Sequence, residues 1–269
     1  NTAFGISVIA AIKIFIVCIQ YSNFSTILGP ALEIANCEQA QLNFVRFYRI
    51  QTRQYCASVQ VIIEQTHRKN TLVYLNNCTF RLCSAHTYYA SGINIEIGKP
   101  IKRPKNPSMI NKSRKSSSMI KKKIKLNIFI LESVFSECQT YGKGSAFNLY
   151  SRISFGSVTK AHICTCKFVS NNAQSSGGSL GISQVNTVFV KNSIFVNNIG
   201  YQDGGCMHLT KIKTVKIKMV KLTSNKAYKL WTTSRTVICD CSGGAIFAEQ
   251  LDQLVAQYVN FTSNTVTQG

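Results

Sequence analysis

Acid–base chemistry on sugars, or a calcium site, needs several carboxylates converging on one face, so the acidic residues come first. The chain holds ten. Asp203, Asp240 and Asp252 are its aspartates, and they fall in different parts of the sequence pattern. Glu132/Glu137 and Glu249/Asp252 are close pairs with no Arg or His column beside them. His67, His86, His162 and His208 are scattered. His208 alternates with the apolar Met207 and Leu209, which predicts a solvent-facing imidazole. This distribution argues against an enzyme, so no catalytic, cofactor-binding or metal-binding residue is assigned and no cofactor is implied.

Eleven cysteines are many for this length. Cys164-Thr-Cys166 and Cys239-Asp-Cys241 are spaced two apart, which suits a strand carrying both thiols on one face. A four-thiolate zinc site would have to bring together two pairs far apart in the chain. Use as small buried apolar residues, with some disulfides, is the expected role. Four sequons, at Asn23, Asn77, Asn111 and Asn260, are compatible with secretion, although an Asn-rich chain produces some by chance.

The net charge of +21 is unevenly spread. Residues 98–125 supply eleven Lys/Arg and no acid, including Lys121, Lys122 and Lys123. A second group, Lys211, Lys213, Lys216, Lys218 and Lys221, largely tracks outward strand positions. Such lysines either form a solvated face that blocks edge pairing or attract anionic glycans or a membrane surface. On the second reading the polyanion contact is assigned to Lys121–Lys123, Lys211, Lys213, Lys216 and Lys218. Nucleic acid is disfavoured, because no aromatics for base stacking interleave with the lysines.

The elements that would position these side chains repeat. Phe168–Ile182, FVSNNAQSSGGSLGI, returns at Phe195–Leu209, FVNNIGYQDGGCMHL, with both the Phe and the Gly pair 27 residues on. Fainter copies begin at Leu222 and Phe261. A fixed period in this range marks a repeat architecture. Each copy holds an alternating run such as Val188-Phe-Val190, then Asn-x-x-Phe-x-x-Asn, a polar stretch into Gly-Gly, and apolar-x-apolar again. Three short strands and three corners per 27 residues predict an all-β, right-handed parallel β-helix solenoid of about eight coils, each roughly 4.8 Å above the last. Phe80, Phe135, Phe168, Phe195, Leu222 and Phe261 would form one internal column. Asn171, Asn198, Asn225 and Asn264 would form a polar ladder at the following corner. Cys83 and Cys138 take the Asn position in their coils, which predicts that they stack with their sulfurs close.

Degenerate coils are expected over 1–97, with the apolar Ile6–Ile19 run read as part of a coil rather than as an anchor. Composition predicts a solvated, disordered basic loop over 98–125, holding three of the four prolines. Clear coils follow over 126–269, with a loop excursion at 228–240 that carries Trp231. The chain reads as a piece of a longer solenoid, its partners being further coils at both ends.

The Phe-x-x-Asn and Gly-Gly-[Ala/Ser]-[Ile/Leu] combination stands at Phe168–Asn171, Phe195–Asn198, Phe261–Asn264, Gly177–Leu180 and Gly243–Ile246. It resembles the repeats of polymorphic outer-membrane proteins of intracellular bacteria, and the pectin-lyase-like repeats of large protist surface proteins. The resemblance implies a right-handed parallel β-helix at the cell surface or secreted, with a structural or adhesive role, as part of a membrane-anchored protein or not. The first third departs from it, lacking the Gly pair and carrying Phe-x-x-Cys at Phe80. Two other functions stay open: a carbohydrate-active β-helix of the lyase or hydrolase kind, and a basic glycan-, membrane- or nucleic-acid-binding module.

Overall fold

Alternation builds the strands. Thr71–Asn76 and Lys125–Leu131 each bury every second side chain, as a strand with one face against a core must. The computed structural model describes residues 6–9, 16–28, 30–35, 37–52, 58–64, 70–86, 90–99, 125–151, 158–229 and 243–268. Among them there is no helix, and every strand pairing is parallel.

The chain is an all-β solenoid of three parallel sheets. An eight-stranded sheet takes one three-residue strand from each coil, from Asn23–Ser25 to Asn260–Thr262. A seven-stranded sheet takes the short strand after the next corner, such as Asn172–Ala173. A thirteen-stranded sheet folds around the rest. Its two halves are separate strands in the early coils, for example Phe147–Ser151 and Val158–Cys164. They fuse in the last three coils as Leu180–Lys191, Met207–Lys218 and Ile246–Gln257. The earlier coils therefore have one strand more than the sequence pattern suggests, whereas the fused coils have three.

Corners are made by single residues in the left-handed conformation. One such column precedes the eight-stranded sheet: Tyr21, Phe44, Asn77, Glu132, Thr165, Asn192, Met219 and Tyr258, with φ between 48° and 57°. A second follows it, from Thr26 to Ser263. Glycine serves the same purpose at Gly98, in a bulge, and at the corner before the next apolar strand, at Gly144, Gly177, Gly204 and Gly243. There the reason is also steric. A Cβ on Gly178 would come within 2.2 Å of the Gly205 carbonyl in the next coil.

Coil lengths vary although register does not. Paired positions such as Phe47, Phe80, Phe135 and Phe168 lie in line, so apart from the bulge between Ile97 and Lys99 extra residues are placed between strands rather than within them. Ile6–Ile9 and Ile16–Gln20, from the apolar N-terminal run, pair with Leu32–Ala35 and Gln39–Asn43. Both ends of the expected basic loop belong to sheet: Gly98 and Lys99 close the strand Ile93–Lys99, and Lys125 opens Lys125–Leu131. Residues 100–124, including Lys121, Lys122 and Lys123, lie outside the described residues. Tyr228 and Lys229 likewise belong to the strand Lys226–Lys229, and 230–242 with Trp231 lie outside.

Candidate functional site

Inside the coil, side chains stack on their own kind. Phe24, Phe47, Phe80, Phe135, Phe168, Phe195, Leu222 and Phe261 are in register along the eight-stranded sheet. The rings from Phe24 to Phe195 lie 4.6–5.0 Å apart and within 9° of parallel. Phe24 and Phe47 extend the column beyond the sequence reading, which followed Phe-x-x-Asn. Here the third residue on is Ile27 or Ile50.

At the next corner the backbone N–H points along the solenoid, where a side chain of the following coil must receive it. Asn198 Oδ1 accepts the Asn171 N–H at 3.1 Å, Asn225 Oδ1 that of Asn198 at 3.1 Å, and Asn264 Oδ1 that of Asn225 at 3.0 Å. Each amide also donates back: Asn171 to Phe135 O, Asn198 to Phe168 O and Asn225 to Phe195 O, all at 3.1 Å.

Cys83 and Cys138 continue this ladder with sulfur. The Cys138 N–H donates to Asn171 Oδ1 at 3.0 Å, the Cys83 backbone donates to the Cys138 sulfur, and that of Ile50 to the Cys83 sulfur. The thiols point at Phe80 O and Phe47 O, at 3.8 and 3.9 Å, as the amides do at theirs. The two sulfurs are in hydrogen-bonding contact with each other, and Ser58 Oγ donates to Cys83 at 3.0 Å. Both are free thiols. The hydrogen bond to Cys83, and then burial, hold the Cys138 thiol well above its usual range.

A second ladder, unseen in the sequence, runs through the preceding corner. Val45 donates to Cys78, Cys78 N–H to Ser133 Oγ (3.1 Å), Ser133 to Cys166, and Cys166 N–H to Ser193 Oγ (3.2 Å). In turn Cys78 donates to Leu42 O and Cys166 to Ile130 O, both at 3.3 Å. Burial pushes Cys78 up to about 11 and Cys166 up to about 12, so both keep the proton they donate. The recurring Cys or Ser two residues before the column Phe was the available signal. Two expectations therefore fail. All eight cysteines among the described residues are free rather than paired. Cys164 and Cys166 do not share a face, because Thr165 in the left-handed conformation turns the chain between them, leaving Cys164 partly exposed and Cys166 inside. Cys239 and Cys241 lie outside the described residues, and no three His, Cys, Asp or Glu side chains among those described could hold a metal.

His208 also departs from expectation. It faces away from the core but is only 5% exposed, because the Gly177 corner packs over it and Phe247 stacks on it at 5.2 Å. Burial, and then the nearby Lys143 charge, lower its pKa to about 4. Lys143 is itself lowered by burial against the pull of Asp203 and Glu249.

On the outside, the register gathers charge. Lys160, Thr187 and Thr214 are aligned across three coils, as are His162, Phe189 and Lys216, then Cys164, Lys191 and Lys218. Around the corner, Lys167, Ile194 and Lys221 are aligned. All six of these lysines are exposed. Of the predicted contacts, Lys216 and Lys218 lie on this face, whereas Lys211 sits at the left-handed bend of its strand and Lys213 lies two residues beyond it. Phe129, His162 and Phe189 stack at 4.8 and 4.7 Å, and the Lys216 ammonium lies 5.5 Å from the Phe189 ring centre.

No family model, curated protein or solved structure matches this chain.

Proposed function

We propose that this chain is a right-handed parallel β-helix serving as a structural or adhesive segment of a cell-surface or secreted protein. The observation that carries the reading is where its polar residues go. Asn, Cys and Ser side chains in two successive corners are committed to backbone groups of neighbouring coils, which suits a stack whose task is to hold its shape. Right-handedness follows from the strong preference of parallel crossovers for that hand. Exposed sequons at Asn23, Asn77 and Asn260, the last with its Thr262 hydroxyl 3.0 Å from the Asn oxygen, favour passage through a secretory route.

The test has two readouts on protein made by secretory cells. Treatment with N-glycosidase should lower its mass by whole glycans, and urea should unfold all the coils in one transition. An unglycosylated intracellular product, or stepwise loss of separate parts, would count against the proposal. The cluster around His208, with Lys143, Asp203 and Glu249, favours a second reading as a carbohydrate-active coil. Turnover of an acidic polysaccharide by the purified chain, lost in Lys143→Gln, would establish that alternative.

A further inference from the structure

We propose that the outer face of coils 158–224 docks an anionic polysaccharide, whose carboxylate or sulfate groups lie against Lys160, Lys167, Lys191, Lys216, Lys218 and Lys221. The inference deepens the adhesive reading and depends on it only for the register that brings these lysines together.

Charge is the first reason. Segments 158–170, 185–197 and 212–224 contain seven lysines and no acidic residue. Register then places Lys191 directly beside Lys218, and like charges opposite one another on neighbouring strands repel. Three coils span roughly 10 Å, about a Debye length at 0.1 M salt, so the ammonium groups act as one field. A linear anion laid along the coil axis would relieve the repulsion and meet a lysine in every coil. Thr187 and Thr214, both partly exposed in the Lys160 column, add hydroxyls at the same surface.

The aromatic side chains decide the class of polymer. Proteins that hold single-stranded nucleic acid by charge also offer ring faces on which bases stack. Here the faces of Phe129, His162 and Phe189 are turned to one another, and Lys216 sits over the last. The ring faces of this column are thus already engaged by neighbouring side chains. A polymer held by charge and hydroxyl contacts, with no demand for stacking, fits this face better.

The experiment uses the full chain and a fluorescent heparin oligosaccharide, read by anisotropy. The variant Lys191→Gln/Lys216→Gln/Lys218→Gln should bind at least about tenfold more weakly, and the parent's affinity should fall steeply as salt rises through about 0.1 M. Arg46→Gln/Arg49→Gln/Arg81→Gln, with the same loss of charge on other coils, should change affinity by less than about threefold. The single variant Lys218→Glu gives the same direction with minimal disturbance, and circular dichroism reports separately whether the coils are intact. Equal weakening by the two triple variants would overturn the proposal. So would tighter binding of single-stranded DNA, or of phosphatidylserine vesicles, than of the oligosaccharide at matched charge.

Discussion

At the corner after the column Phe, the coils of Asn171, Asn198 and Asn225 and those of Cys83 and Cys138 meet one demand with different atoms. Both must receive a backbone N–H from the preceding coil and return a hydrogen bond to a carbonyl there. The amides do so at 3.1 Å; the thiols reach the equivalent carbonyls only at 3.8 and 3.9 Å. An amide also has a second donor proton. Asn171 and Asn198 use it on the Oδ1 of the next Asn, at 3.0 and 2.9 Å, which links their side chains into a chain that thiols cannot form as strongly. Amides serve the 27-residue steps from Asn171 to Asn225 and also the 39-residue step from Asn225 to Asn264. Register is common to both, so it is held by the stacked interior rather than by equal coil length.

The largest effect should come from breaking the amide side of this comparison. Asn198→Ala leaves the Asn171 N–H buried without its acceptor and removes the amide's bonds to Phe168 O and Asn225 Oδ1, and should cost about 3–4 kcal/mol in urea unfolding. Cys138→Ala should cost about 1–2 kcal/mol, since weaker bonds are lost. Equal losses would mean that sulfur and amide are equivalent here.

A comparable effect separates the covered corner at His208 from the open outer face. Its folded pKa of about 4 lies below the ordinary value of 6.5. The unfolded chain therefore takes up the proton first as pH falls. Stability is fully present above about pH 6.5, declines through this window, and is lower by on the order of 3 kcal/mol near pH 4. His208→Gln should flatten that part of the pH profile; an unchanged slope would place the titration elsewhere.

Smaller changes sharpen the column and the corners. Phe135→Leu should cost about 1–2 kcal/mol, because Leu222 already occupies the same column between Phe195 and Phe261 and the stack tolerates a smaller side chain. Leu82→Asn places an amide residue at a left-handed corner with φ 54°. It should raise stability by about 0.5–1 kcal/mol, because Asn adopts that conformation more readily than Leu.

Much of the interior was legible in the sequence because like stacks on like. Phe168, Phe195 and Leu222 repeat at 27 residues with Asn171, Asn198 and Asn225 three residues on, and the same pattern leads to Phe80, Phe135 and Phe261. Phe47 was hidden by Ile at the ladder position, and the Cys78–Ser193 ladder by its mixture of two residue types. The corners were legible where the left-handed residue is Asn77, Asn192 or Asn197, and hidden where it is Tyr21, Phe44, Leu82 or Met219, residue types that carry no turn signal. Alternation alone misplaced His208, because period two gives the face of a strand but not what covers it. The lysine face was only half visible. Lys160, Lys167 and Lys191 join Lys216, Lys218 and Lys221 through registry between coils, not through proximity in the chain.

Both ladders and the lysine face rest on that registry, and its severest case is the pairing of Thr79–Arg81 with Val134–Ser136 across 52 intervening residues. Arg81→Cys combined with Ser136→Cys places two outward thiols on adjacent strands, roughly 4.8 Å apart. Arg81→Cys with Val169→Cys places them two coils apart. A short thiol crosslinker followed by peptide mapping should join 81 to 136 within one molecule and leave 81 and 169 apart. Linkage of 81 to 169 as readily as to 136, or none at 136, would contradict the stacked register on which both ladders and the lysine face depend.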